Sequence, residues 1–67
     1  MVKNDTIHDT TGAAEYVLLS KGMLERLRVR GDGPAYLKLG GAVRYRQSDL
    51  DAWLESRVTR STSERAA

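Results

Sequence analysis

Positively charged side chains gather in the middle of the chain, where their spacing suits the binding of a polyanion. The 67 residues carry a formal net charge of +2. Residues 21–46 hold seven cations and two anions, a local charge of +5, so the remaining residues sum to −3. A surface charged only for solubility would mix both signs more evenly. The seven cations are Lys21, Arg26, Arg28, Arg30, Lys38, Arg44 and Arg46.

Little in the composition points to catalysis, metal binding or a membrane span. There is no cysteine, and the single histidine, His8, cannot complete a four-ligand zinc site. No Ser, His and Asp set falls on predicted rigid elements, and neither glycine cluster precedes a helix as a phosphate-binding loop does. The longest apolar run, 16–19, is far shorter than the roughly 20 residues that span a bilayer. We therefore expect a cytoplasmic protein that is not an enzyme and binds no cofactor, metal ion, membrane or small-molecule ligand.

Several of these cations fall on a predicted helix from Lys21 to about Val29, with Ser20 as its N-cap and Gly31 beyond its end. At 100° per residue, the apolar side chains Met23, Leu24 and Leu27 share the side that faces the core. The opposite side is cationic, small and suited to a nucleic-acid groove, although an ordinary solvated helix face would show the same pattern. That outer side carries Gly22, Glu25, Arg26 and Val29, flanked by Lys21 and Arg28.

Two further cations lie on a predicted β-hairpin whose strands flank a glycine pair at 40–41. A three-residue loop is preferred, because it sets Leu37 opposite Tyr45 on the core face. A two-residue loop would set Leu37 opposite Arg44 and mix core with charge. The preferred register places Lys38 opposite Arg44, two like charges that an overlying phosphate would stabilise. The predicted strands are 36–39 and 43–45.

A helix on each side completes the predicted fold. Thr10 or Thr11 caps a first helix that runs to about Leu18, with Glu15 in its first turn. A last helix opens at Ser48 as N-cap, with Asp51 completing a capping box. Its carboxylates should face away from any phosphate. Residues 1–10 and 59–67 are expected to be mobile tails, which leaves a folded domain at 11–58.

Helix, turn, helix, hairpin and helix make a mainly α fold with a small β-hairpin, the layout of a winged helix-turn-helix. Three stretches are informative together: AAEY at 13–16, LSKGMLERLR at 19–28 and GPAYLKLGGAVRYRQSDLDAWL at 33–54. In these stretches the chain resembles the excisionase family of DNA-binding proteins, relatives of the MerR-type winged helix. The family usually has glycine where Leu18 stands here, so Leu18 is strained, the turn is built differently, or the side chain is exposed to a neighbouring subunit.

The resemblance implies a recombination directionality factor. Such a protein binds repeated sites in double-stranded DNA beside an attachment site, bends the DNA and steers an integrase of the tyrosine or serine recombinase class toward excision. Two alternatives stay open: a small transcriptional regulator of a mobile element or prophage, and a basic adaptor that binds an acidic protein. A domain this small reads few base pairs, so cooperative, head-to-tail binding to direct repeats is expected.

The resemblance also assigns residues to the DNA. Lys21 and Arg28 would bind phosphates, and Arg26 would read guanine. Glu25 would accept a hydrogen bond from cytosine N4, and Arg46 has an alternative place over Trp53 or Tyr45. Four or five phosphate contacts would give a slope of log affinity against log salt of about −4. The implied contacts are Ser20, Lys21, Gly22, Glu25, Arg26 and Arg28 on the recognition helix, and Lys38, Arg44 and Arg46 on the wing.

Overall fold

Three helices pack against a three-stranded antiparallel sheet with the strand order β1-β3-β2. A computed structural model describes residues 5–60. The winged helix-turn-helix fold is confirmed, with one strand more than expected. The elements are β1 (Ile7–His8), α1 (Thr10–Val17), α2 (Lys21–Arg30), β2 (Leu37–Leu39), β3 (Ala42–Arg46) and α3 (Gln47–Ser56).

The core is small, and each helix contributes to it. Ala13 and Ala14 of α1 are buried, and their short side chains let the neighbouring elements approach closely. Leu24 of α2 and Leu50 of α3 are fully buried beside them. Tyr45 of β3 fills the centre, also with no exposed surface. The hairpin is therefore anchored to the helices through its inner strand.

The N-terminal segment belongs to the fold from residue 5 onward, so the expected mobile tail at 1–10 is wrong for this part. Ile7 pairs with Arg46 and His8 with Tyr45. The backbone N–H of Gln47 donates to the carbonyl of Thr6 at 2.8 Å. Residues 1–4 and 61–67 lie outside the described part of the chain.

The N-terminus of each flanking helix differs from the expectation. Asp9, rather than Thr10 or Thr11, caps α1 by accepting from the N–H of Gly12 at 2.8 Å. Because α1 begins at Thr10, Glu15 lies beyond its first turn.

At α3, Ser48 is inside the helix and is not its N-cap, so the predicted capping box is wrong. The carboxylate of Asp5, in the N-terminal segment, accepts hydrogen bonds from this end of the helix instead. It accepts from the N–H of Ser48 at 2.9 Å and from its hydroxyl at 2.8 Å. The strand β1 therefore brings in the group that satisfies the first turn of α3.

The turn between α1 and α2 is a regular helix ending with an unusual occupant. The N–H of Leu18 bonds to the carbonyl of Glu15 at 3.2 Å, and that of Leu19 to Ala14 at 3.0 Å. This pair of bonds is the Schellman pattern, whose αL position normally holds glycine. Gly31 holds the same position after α2. Leu18 stands there with φ 61° and ψ 41° and is 87% exposed, so it is both strained and solvent-facing.

The hairpin has the register that the sequence analysis rejected. Leu37 pairs with Arg44, Lys38 with Val43, and Leu39 with Ala42, across a two-residue turn. Gly40 has φ 63°, as the first central residue of a type II′ turn requires. Lys38 therefore does not face Arg44, and the predicted pair of opposed cations is wrong. The outer face of the sheet carries Arg44 together with Leu37 and Leu39, whereas Tyr45 points into the core.

Candidate nucleic-acid interface

The outward side of α2 is the one that the periodicity predicted, with one exception. Arg26 and Val29 are exposed, and Glu25 is half-buried at the edge. Met23, expected to face the core, is 39% exposed and sits at the border of the two sides. Leu24 alone anchors the helix as a fully buried side chain.

Ser20 and Gly22 shape the start of this helix. The hydroxyl oxygen of Ser20 accepts from the N–H of Met23 at 3.1 Å, so the predicted N-cap is confirmed. A Cβ added to Gly22 would meet no atom within 4 Å. The glycine therefore does not serve internal packing, and its bare backbone leaves a flat surface on the outward side.

Three of the predicted DNA-contacting cations are unengaged within residues 5–60. Lys21, Arg26 and Lys38 are exposed and make no hydrogen bond or ion pair with another described side chain. A free ammonium or guanidinium can meet a phosphate or base edge without first breaking an internal contact. These three cations therefore carry the charge that is immediately available on the helix and the hairpin.

Arg28 is half-buried between α2 and the hairpin. Its guanidinium lies 3.5 Å from the hydroxyl of Tyr45, at the limit of a hydrogen bond, and 5.8 Å from the ring centroid of Tyr36. The rings of Tyr36 and Tyr45 in turn lie 6.3 Å apart. Arg28 thus links α2 to the hairpin, a position that no local sequence pattern indicates.

Arg46 is held by Asp49 at the junction of β3 and α3. The Nε to Oδ2 distance is 2.8 Å, and this hydrogen bond together with the charge of Asp49 raises the pKa of Arg46. The alternative place of Arg46 over an aromatic ring is wrong, because Arg57 lies over Trp53 at 5.5 Å instead. Arg57 and the indole N–H of Trp53 both donate to the carbonyl of Asp32.

A polar cleft of about 230 Å³ joins the helix and the wing into one surface. It lies where the N-termini of α1 and α2 meet β3, and it brings together Lys21 and Glu25 of α2 and Arg44 of β3. The guanidinium of Arg44 bonds to the carbonyl of Val43 at 2.8 Å and keeps further N–H donors. The full lining is Asp9, Thr10, Thr11, Lys21, Glu25, Val43 and Arg44.

Thr10 and Thr11 are members of this cleft that the sequence analysis did not assign to the interface. Either threonine was expected to cap α1, but Asp9 is its N-cap. Their hydroxyls are therefore not used to cap α1. The signal that could have found them is the order Asp-Thr-Thr itself, because aspartate is a stronger N-cap than threonine.

Acidic side chains on α3 lie apart from this cleft. Asp51 accepts a hydrogen bond from the hydroxyl of Tyr16 at 2.5 Å, and Glu55 is exposed. The hydrogen bond to Asp51, with burial and the charge of Asp51 adding to it, raises the pKa of Tyr16. Neither carboxylate lines the cleft, where two other carboxylates, Asp9 and Glu25, lie beside two cations.

These features define a winged helix-turn-helix with a cationic face built from its second helix and its hairpin. Residues 9–58 match the family model described as a helix-turn-helix domain. The chain belongs to this helix-turn-helix domain family, and it is a sequence-specific DNA-binding protein. No curated protein matches the chain. Within residues 5–60, no helix has both the length and the apolar character needed to cross a membrane.

Proposed function

We propose that this protein is a recombination directionality factor of the excisionase type, which binds repeated sites near an attachment site and promotes excision by an integrase. The observation that supports the DNA-binding part is the shared cleft, in which Lys21 and Glu25 of α2 lie beside Arg44 of β3. A duplex that lies across the mouth of this cleft would contact the helix and the wing together. The excision role rests on the excisionase resemblance, whose longest stretch spans β2, β3 and the start of α3.

Base reading is assigned to α2 and backbone binding to the cleft and hairpin. Arg26 donates to guanine and Glu25 accepts from cytosine in the major groove. Lys21, Lys38 and Arg44 bind phosphates and set the register of the protein on the duplex. Arg28 holds the two elements at the spacing that these contacts need, rather than binding phosphate itself.

Footprinting of single variants tests this division. Arg26→Ala should lose discrimination between its site and other duplexes, whereas Lys38→Ala and Arg44→Ala should weaken all duplexes about equally. Arg60→Ala is the matched control, because it removes one exposed positive charge beyond α3. An unchanged footprint for Arg26→Ala would show that α2 is not oriented as proposed.

The excision role itself is tested on the DNA that flanks the protein's own gene. Footprints beside an attachment site, together with integrase-dependent excision that requires the protein, would support it. Footprints at a promoter with no effect on excision would favour the alternative, a transcriptional regulator of a mobile element or prophage. Binding that goes to an acidic protein and not to duplex DNA would favour the adaptor.

Cooperative self-association on DNA is part of the same proposal. Leu18 is exposed at the end of α1, on a corner beside Glu15, and offers an apolar contact to a neighbouring copy. Sedimentation of the protein with a duplex of several adjacent sites should show occupancy that rises more steeply than independent binding allows. Strictly independent filling of the sites would overturn this part. A protein with the proposed function acts in the cytoplasm, on the nucleoid.

A further inference from the structure

Val29 is an apolar side chain on the otherwise polar outward side of α2. It follows Glu25 by four residues and Arg26 by three, so the three side chains share one side of the helix. Val29 is 81% exposed, more than any other large apolar side chain in residues 5–60 except Leu18. The rest of the protein therefore packs little against it, and the core does not require an apolar residue here.

The major groove presents one apolar group among its hydrogen-bonding edges, the C5-methyl group of thymine. A helix rises about 1.5 Å per residue, so Val29 lies roughly 6 Å along α2 from Glu25. That separation corresponds to about two base pairs of a duplex with 3.4 Å spacing. A helix that sets Glu25 and Arg26 against base edges thus brings Val29 to a base pair a short distance along the groove.

We propose that Val29 contacts the C5-methyl group of one thymine in the target site and adds a preference for thymine at that position. The inference rests on the proposed function, because it requires the outward side of α2 to lie in the major groove. Its chemistry differs from that of the charged contacts, since a methyl contact buries apolar surface and depends little on salt.

Replacing thymine with deoxyuridine removes this methyl group and nothing else from the groove. A duplex selected from random sequences for tight binding is remade with one deoxyuridine at a time. For the unaltered protein, one position should lose about fourfold in affinity, the effect of losing one buried methyl group. Val29→Ala should bind the thymine duplex less tightly by a similar factor and should no longer distinguish thymine from deoxyuridine at that position.

Val58→Ala is the matched control, because Val58 is also an exposed valine, 64% exposed, and lies beyond α3. It should keep the full preference for thymine. If no deoxyuridine position weakens binding, or if Val29→Ala keeps the preference, the inference is overturned. If Arg26→Ala loses sequence discrimination but no deoxyuridine position weakens binding of the parent, this inference alone is overturned. An unchanged Arg26→Ala footprint would overturn the proposed orientation of α2.

Discussion

Leu18 has a strained backbone conformation, and its side chain makes few contacts that could offset the strain. A residue with a Cβ atom costs about 1–2 kcal/mol in the αL region, and a side chain that is 87% exposed buries almost no apolar surface. Gly31 occupies the equivalent position after α2 without this cost. Leucine at this turn is therefore unfavourable for the isolated fold.

Replacement of Leu18 by glycine should stabilise the protein. The relief of strain exceeds the extra conformational freedom that glycine gives the unfolded chain, so a net gain of about 0.5–1 kcal/mol is expected. For a domain of this size that gain raises the melting temperature by roughly 2–8 °C.

Leu18→Ala separates the backbone from the side chain in this test. It keeps the Cβ atom and hence the strain, so it should leave the melting temperature unchanged or lower it. A glycine variant that melts below the parent would show that the leucine side chain packs against the fold. A stabilised glycine variant that also lost cooperative binding would place the benefit of Leu18 between copies.

The bond between Tyr16 and Asp51 should make stability depend on alkaline pH. Because the pKa of Tyr16 is raised above its usual 10.0 in the fold, its contribution is fully present below pH 10.0 and is lost as the pH rises through the higher folded value. Tyr16→Phe should therefore be less stable than the parent at neutral pH, and the difference should shrink above pH 10.0.

Urea denaturation of both proteins from neutral to alkaline pH measures this effect. Tyr36→Phe is the matched control, because Tyr36 is similarly exposed and its hydroxyl makes no hydrogen bond within residues 5–60. Its difference from the parent gives the effect of removing an exposed tyrosine hydroxyl that bonds to no carboxylate within residues 5–60. A Tyr16→Phe difference that grew at high pH would contradict the assignment of the hydroxyl as the donor.

At the scale of elements, the hairpin depends on the backbone of one glycine. Gly40 has φ 63° and Gly41 does not have a positive φ, although a Cβ added at either would meet no atom within 4 Å. Gly40→Ala should destabilise the protein by about 1 kcal/mol through backbone strain alone, whereas Gly41→Ala should be neutral or slightly stabilising.

Thermal denaturation of the two alanine variants compares them directly, since they differ only in which turn residue gains a methyl group. The result also tests the hairpin register. In the two-residue turn only Gly40 is in the left-handed region. Equal tolerance at both positions would argue for a different turn.

The elements that sequence could predict are those with local signals. Ser20 and Gly31 bound α2 because a side-chain cap and a left-handed glycine act within a few residues. The glycine pair at 40–41 predicts the hairpin but not its register, because the register follows the geometry of the two-residue turn rather than the pairing of apolar side chains. Lys38 pairs with Val43 and so shares a face with Tyr45, which shows that a fully apolar inner face was not the deciding requirement.

The contacts that sequence could not predict link distant parts of the chain. Asp5 and Ser48 are 43 positions apart, and nothing near Ser48 indicates that its N–H is capped from the N-terminus. Helical periodicity predicts that Arg28 flanks the outward side of α2. Its position beside Tyr45 depends on how the hairpin packs against α2. The outward side of α2 was predictable, whereas the pairing state of each cation was not.

At the scale of the whole molecule, internal contacts reduce the charge that is free to meet DNA. Arg46 is paired with Asp49, Arg30 with Asp32, and Arg28 lies against two tyrosines. Four other cations of residues 21–46 remain; the proposed function assigns Arg26 to a base, which leaves Lys21, Lys38 and Arg44 for phosphates. The slope of log affinity against log salt for one copy should therefore be about −3 rather than about −4.

Titration of a single-site duplex at several salt concentrations measures this slope. Lys38→Ala should reduce its magnitude by about one, and Arg46→Ala should leave it unchanged. A slope of −4 or steeper for the parent would mean that Arg28 or Arg46 leaves its partner on binding. A slope near zero would contradict the assigned face altogether.

The short strand β1 has one more consequence, for how copies can meet. Because β1 and β2 cover both sides of β3, the open backbone edges of the sheet within residues 5–60 belong to a two-residue and a three-residue strand. Edges this short are poor templates for strand addition by another chain. If copies bind side by side on a duplex, as proposed, they would meet through side chains rather than open backbone and could assemble and separate without exchanging strands.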